Sequence, residues 1–272
     1  MKKFLELSSW RTALGNLLPS AHGHQGGSRK AAIGSMLIMA MLFAACGDDD
    51  ATSSSSVTAD ETGSMTDSRD GKTYRTVKIG DQVWMAENLN YAYTGVPFDN
   101  GYYTSDSTSW CYDNVPANCA KYGRLYTWAA AMDSVGEWST NGKGCGYYQT
   151  CSPIYPVRGV CPEGWHLPDT KEWNVLFTAV GGQLTAGMVL KSTSGWYYNG
   201  NGSDAFGFSA LPAGYRKFNG DFNYEGNYAY FWSSTEYDSS NAYDMHLYCT
   251  IDYAYLNDYF KDFGYSVRCV KD

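Results

Sequence analysis

The succession of apolar and polar residues divides the chain into unlike parts. Ala31 to Ala45 (AAIGSMLIMAMLFAA) form an unbroken apolar run behind the basic Ser28-Arg29-Lys30. It is short for a bilayer span and has the length of a secretory core. Residues 47–70 (GDDDATSSSSVTADETGSMTDSRD) carry almost nothing apolar, and such a stretch buries too little surface to offset the entropy of ordering. Alternation begins at residue 73, where TYRTVKI and QVWM read as two strands about Gly80-Asp81, a two-residue hairpin turn. In RLYTWAAAMDSV (124–135), Leu125, Trp128 and Met132 recur at helical spacing and predict a first helix. Asp169 and Glu172 then form a capping box ahead of Trp173, Leu176, Phe177 and Val180, which share one helical face, and Gly181-Gly182 ends this second helix. Beyond Gly187 the pattern changes to short strands, FGFSALPAGY, YAYFWSSTE, AYDMHLY and GYSVRCV, between long loops rich in Gly, Asn and Tyr. Helices followed by short strands imply an α+β fold.

Composition adds a core and a surface chemistry. The chain has 272 residues, 44% of them hydrophobic and 16% aromatic, enough for a substantial core. Its 24 tyrosines and 9 tryptophans have large apolar faces with a polar handle, which suits wet binding surfaces as well as interiors. The apolar run ends in Leu42-Phe43-Ala44-Ala45-Cys46, which resembles the bacterial lipobox, with Phe43 where an aliphatic residue is usual. That resemblance implies lipidation of Cys46 as the mature N-terminus. Residues 1–45 are therefore expected to be a signal peptide, 46–69 a disordered acidic and Ser-rich tether, and 70–272 the folded domain. The 27 residues before Ser28 are long for a leader's basic region, so a start codon downstream of Met1 is an alternative. The expected location is the cell envelope, lipid-anchored at the outer membrane; the aspartates behind Cys46 look like the export signals of surface lipoproteins, with a periplasm-facing anchor as the alternative.

Residues 1–46 hold five of the 20 Lys+Arg and one of the 28 Asp+Glu, leaving 15 against 27 and a formal charge of −12. Without a basic face, nucleic acid is an improbable partner.

Of eight cysteines, seven follow Cys46, and in an oxidising compartment pairing is the default. Cys111 and Cys119 flank YDNVPAN, and Cys145 and Cys151 flank GYYQT, short loops that a local bridge can staple. Joining Cys269 to Cys161 is a third option, closing a loop of over a hundred residues and contributing about 4 to 5 kcal/mol on chain-entropy grounds. Cys249 is then left free as a small buried residue.

One stretch, CPEGWHLPDTKEWNVL, sets His166 between two apolar side chains just ahead of the second helix. Pro162 and Pro168 fix the chain on either side, so the loop is expected to pack, with Trp165 and Leu167 as core plugs. His166 is read as structural, donating to a backbone carbonyl.

The motifs DGKTYRTVKIGDQVWMAENLNY, RLYTWAAAM, VCPEGWHLPDTKEWNVL, LPAGYR, FWSSTE and GYSVRCVKD, in that order, resemble the Fibrobacter succinogenes major paralogous domain over residues 70–272. That family is similar in turn to the C-type-lectin-like fold shared with formylglycine-generating enzymes. The resemblance implies one α+β, C-type-lectin-like domain with two helices, short antiparallel strands, long loops, and paired N- and C-terminal strands. It also favours Cys161–Cys269. It implies no established activity.

Specific chemistries fare poorly against the sequence. Formylglycine-generating oxidases hold copper with a cysteine pair, and MHLYCTIDYAYLND offers Cys249 alone. Calcium-dependent lectins use E-P-N or Q-P-D followed by W-N-D, and neither is present. Zinc on Cys161, His166, His246 and Cys249 has acceptable spacing, but Cys161 has a better use in a disulfide. A hydrolase built on His246 and Asp244 lacks a G-x-S-x-G elbow. No enzymatic role, cofactor or metal is expected. Binding remains: GWYYNGNGSD (195–204) and FNGDFNYEGNY (218–228) interleave rings with Asn, Asp and Gly, a mixture that recognises sugars and proteins alike. Trp196, Tyr197, Tyr198, Asp221, Tyr224 and Glu225 are the candidate ligand residues. The expected ligand is a polysaccharide, with a cell-surface protein or a structural envelope role as alternatives.

Overall fold

The computed structural model describes residues 61–93 and 109–272. The leader, Cys46 and most of the expected tether lie outside them. The boundary at residue 70 needs correction, because strand β1 (Thr62–Thr66) already pairs antiparallel with β2 (Thr73–Ile79), Thr62 opposite Val77 and Thr66 opposite Thr73. Its side chains are largely exposed, so the strand is held by backbone hydrogen bonds, which low hydrophobicity does not prevent. Two of the charged residues behind it, Asp67 and Arg69, are shielded from water. Asp67 is fully buried and accepts from Arg69 Nη2 at 2.7 Å, while the Arg69 guanidinium lies 4.0 Å from the Tyr91 ring centre. β2 turns into β3 (Gln82–Met85) through Gly80-Asp81 as expected, with Gly80 at φ +58°.

The next segment holds β4 (Ser109–Trp110), helix α1 (Pro116–Tyr122), β5 (Leu125–Tyr126) and helix α2 (Trp128–Ala131). The Cys111–Cys119 disulfide joins α1 to the turn before it. The helix expected over 124–135 is therefore only four residues long. Leu125 to Met132 are all buried, so their apolar spacing reports the core and not one helical face. Tyr126 exchanges backbone hydrogen bonds with Tyr265 and stays extended, while Thr127 Oγ1 caps α2 by accepting from Ala130 N.

β6 (Trp165–His166) leads into α3 (Thr170–Ala179), whose capping box is complete: Asp169 accepts from the Lys171 and Glu172 amides, and Glu172 accepts from Asp169 N. After Gly181-Gly182 comes α4 (Gln183–Leu190), bent 79° from α3. Sequence patterning misses α4, because Leu184 and Met188 are exposed while Ala186, Gly187 and Leu190 are inside. Gly187 lets α4 approach another segment: a Cβ there would sit 2.7 Å from the Asp252 carbonyl. Among the described residues no single helix is long and apolar enough to cross a membrane.

The remaining strands are β7 (Tyr215–Arg216), β8 (Phe222–Asn223), β9 (Tyr228–Glu236), β10 (Asn241–Tyr248), β11 (Tyr255–Phe260) and β12 (Val270–Lys271). They make an α+β fold of small antiparallel sheets: β1-β2-β3-β12-β6, β11-β10-β9, β4-β5 and β7-β8. The last strand thus sits between the first hairpin and β6, with Val270 opposite both Trp84 and His166. Cys161–Cys269 fastens this junction, and Cys145–Cys151 is the third disulfide. Cys249 is free and buried.

Three apolar clusters fill the interior of the described residues, the smallest of them around Tyr112, Tyr122, Leu125 and Ala213. One gathers Trp84, Trp173, Phe208 and Phe231, with Trp84 and Trp173 centroids 4.8 Å apart. Another gathers Tyr126, Trp128, Trp232 and Tyr265. Arg268 is fully buried, with its guanidinium 4.4 Å from the Phe208 ring. Its nitrogens donate to Asn88 Oδ1 and to the carbonyls of Met85, Phe208 and Ser209, so this charge ties the first hairpin to a central loop. Burial draws its pKa down to about 9.

Candidate functional site

The six candidate ligand residues separate into different environments. Trp196 is a correction: it is 5% exposed, packs in the Trp84 cluster, and its Nε1 donates to Ser192 Oγ and the Ala210 carbonyl, both at 3.1 Å. A buried indole needs a partner for its N–H, and the neighbouring loop supplies two. The next two rings face outward, Tyr197 at 52% and Tyr198 at 76% exposure. Tyr197 rests one side of its ring on Gly226, where a Cβ would fall 2.6 Å from it. Glu225 accepts from Tyr122 Oη at 2.6 Å and lies 3.6 Å from Lys121 Nζ. Asp221 is exposed in a turn closed by Asn219. Tyr224, 52% exposed, lies 5.4 Å from Tyr228 at the margin of the three-stranded sheet.

That sheet carries the largest aromatic array. Strand alternation sends Phe231, Met245 and Leu247 into the core, and Tyr228, Tyr230, His246 and Tyr248 to the opposite face. Register brings Tyr248 opposite Tyr228, His246 opposite Tyr230, and Tyr255 beside His246. The rings consequently pack across the strands: Tyr228 stacks with Tyr248 at 4.4 Å and His246 with Tyr255 at 4.7 Å, while Tyr230 is tilted against His246 at 5.0 Å. Tyr253 closes the row, its hydroxyl 2.7 Å from that of Tyr255. One end of this face is covered, since Tyr265 stacks on Tyr230 and Trp232. Tyr228, His246, Tyr248 and Tyr255 remain half-buried. Because neighbouring rings occupy one another's faces, the row presents its edges and hydroxyls outward.

Three of these hydroxyls are held in the neutral form by their surroundings. Burial raises the pKa of Tyr228 and Tyr230, and the hydrogen bond with Tyr253 raises that of Tyr255 to about 12. Two residues along β10 from His246, opposite Trp232, Asp244 is buried, and its Oδ1 is 2.8 Å from His246 Nδ1. Burial pushes the Asp244 carboxyl up, against the hydrogen bond from His246. Asp244 Oδ2 is buried without a hydrogen-bond partner among the described residues. The Asp244 and His246 pair suggested by the sequence is thus assembled, but no serine hydroxyl among the described residues bonds the imidazole.

Sequence reasoning placed ligand residues in loops and missed this face. The available signal was the period of two in YAY and in DMHLY, where every second residue is polar or a polar aromatic.

Other clusters have different uses. His166 meets two carboxylates instead of a backbone carbonyl: Nδ1 is 2.7 Å from Asp272 Oδ1 and Nε2 is 2.7 Å from Glu172 Oε1. Burial opposes its charge, but those bonds outweigh it and hold the pKa above the ordinary value. Cys161 is taken by Cys269, so the four-residue zinc set is not assembled, and no group of three metal-ligating side chains occurs among the described residues. A cavity of about 310 Å³ lies between β2 and the end of α1, lined by Arg75, Glu87, Asn88, Lys121 and Tyr122 among others.

Residues 77–271 match the family model described as Fibrobacter succinogenes major domain. No curated protein and no solved structure matches the chain.

Proposed function

The chain belongs to the Fibrobacter succinogenes major domain family, and from that premise we propose that it is an envelope-anchored, non-enzymatic protein that binds polysaccharide. The observation that carries this reading is the open half of the β9–β10–β11 face. Four rings standing on a rigid sheet, Tyr228, Tyr248, His246 and Tyr255, align their polar edges within reach of one extended ligand. Neutral phenols donate and accept hydrogen bonds, as sugar hydroxyls require. Tyr197, Tyr198 and Tyr224 add exposed ring faces, which suit the apolar faces of pyranoses. Sites on sheets hold their geometry better than sites on free loops.

The wider setting agrees with this. We read the fold as C-type-lectin-like, on the pairing of β12 with the first hairpin and the long looped region between strands. LFAAC makes Cys46 the lipid attachment point, and the acidic stretch behind it suits display at the outer membrane. The anchor is then the only membrane contact, and no cofactor takes part.

The test is a glycan array and polysaccharide pull-down with the mature chain carrying Cys46→Ser. Retention of polysaccharide is expected, with affinity lowered about tenfold or more by Tyr228→Ala or Tyr248→Ala. If no glycan is retained and a cell-surface protein is captured instead, adhesion replaces this reading. Cys46→Ser should also move the protein out of the detergent phase on Triton X-114 partitioning, and retention there would refute the anchor.

A further inference from the structure

Resting on the polysaccharide reading, we infer that His246 is the specificity-determining acceptor of the tyrosine face, and that it selects a neutral sugar hydroxyl over an acidic group. Asp244 sits beside the Nδ1 edge of the imidazole, with Oδ1 2.8 Å from Nδ1. An ionised Asp244 accepts the Nδ1–H of the imidazole, and the tautomer with its proton on Nδ1 leaves Nε2 bare. Nε2 has no hydrogen-bond partner among the described residues, and the His246 side chain is 14% exposed. Tyr230 and Tyr255 hold the ring on both sides, at 5.0 and 4.7 Å, so it cannot swing to make another contact without breaking the stack. The phenols along the row can donate or accept. His246 therefore differs from them as a preset acceptor, and the ligand group that meets it must donate.

A sugar hydroxyl fits that position. A carboxylate or sulfate does not, because it brings lone pairs to an acceptor and a negative charge towards Asp244. The rest of the molecule pushes the same way, since the chain carries 28 acidic residues against 20 basic ones. The unpartnered Oδ2 of Asp244 strengthens the assignment. A buried carboxyl with one oxygen unused costs stability, and its one bond in the structure orients His246.

Isothermal titration with the mature chain carrying Cys46→Ser, against a panel of neutral hexasaccharides (gluco-, xylo-, manno- and galacto-configured) and against oligogalacturonate, tests this. At least one neutral member should bind and oligogalacturonate should not. His246→Phe keeps a flat ring between Tyr230 and Tyr255 but removes the acceptor, and should lower affinity about tenfold, the scale of one hydrogen bond. Imidazole ¹⁵N chemical shifts of the unliganded protein should place the proton on Nδ1, and Asp244→Asn, where it folds, should redistribute it. Unchanged affinity in His246→Phe, with Tyr228→Ala still losing it, would overturn the role of His246 and leave the face as the site. A proton on Nε2 in the free protein, or tight oligogalacturonate binding, would overturn it as well. Absence of binding to every neutral saccharide would remove the polysaccharide reading together with this one.

Discussion

His166 joins three parts of the fold through one ring, linking β6 to the first turn of α3 through Glu172 and to the C-terminal Asp272. Its folded pKa lies above the ordinary 6.5, so the protonated ring is the form that stabilises the fold. That contribution is complete below about pH 6.5 and is lost as pH rises through the raised value. His166→Gln should therefore melt below the wild type in mildly acid buffer, and the gap should narrow towards pH 9. A gap that widens with pH, followed by calorimetry, would contradict the two-carboxylate clamp. That this loop packs into the core was legible from its prolines and flanking apolar residues. The partners of His166 were not, because Asp272 is 106 positions away and Glu172 was already assigned to a cap. Trp196 poses the same difficulty: GWYYNG announces aromatic rings but does not say which one turns inward. Trp196→Ala should cost about 3 to 5 kcal/mol of folding free energy in a denaturation curve. Saccharide affinity of the folded fraction should be unchanged.

Elements with local signals were readable, and those defined by distant partners were not. The β2–β3 hairpin needs only a two-residue turn between alternating strands, and α3 needs only its cap and one apolar face. Replacing Asp169 by Ala removes the oxygen that accepts from the Lys171 and Glu172 amides, and should destabilise by about 1 kcal/mol in urea titration. Conversely, β5 and α2 are shaped by Tyr265 and the surrounding core, which imposes an extended backbone where spacing alone suggests a helix. β1 escaped notice because its pairing resides in backbone groups that composition does not report. The tyrosine row is a property of register: Tyr228 and Tyr248 become neighbours only once β9 and β10 pair.

At the scale of the whole molecule, Cys161–Cys269 decides how the protein carries mechanical load. The bridge spans 108 positions, and every residue of the tyrosine row lies inside that span. Tension applied between the first strand and the C-terminus crosses from Cys161 to Cys269 through sulfur and bypasses the row. In a pulling experiment between those ends, the oxidised chain should yield about 350 to 390 Å less extension than the reduced one, at roughly 3.3 to 3.6 Å per bypassed residue. Tension that leaves through something held on the row instead divides between two covalent branches, one from each cysteine. Strain that peels away β1 and β2 thus stops at Cys161, and the tyrosine face can outlast the unravelling of the segment that precedes it.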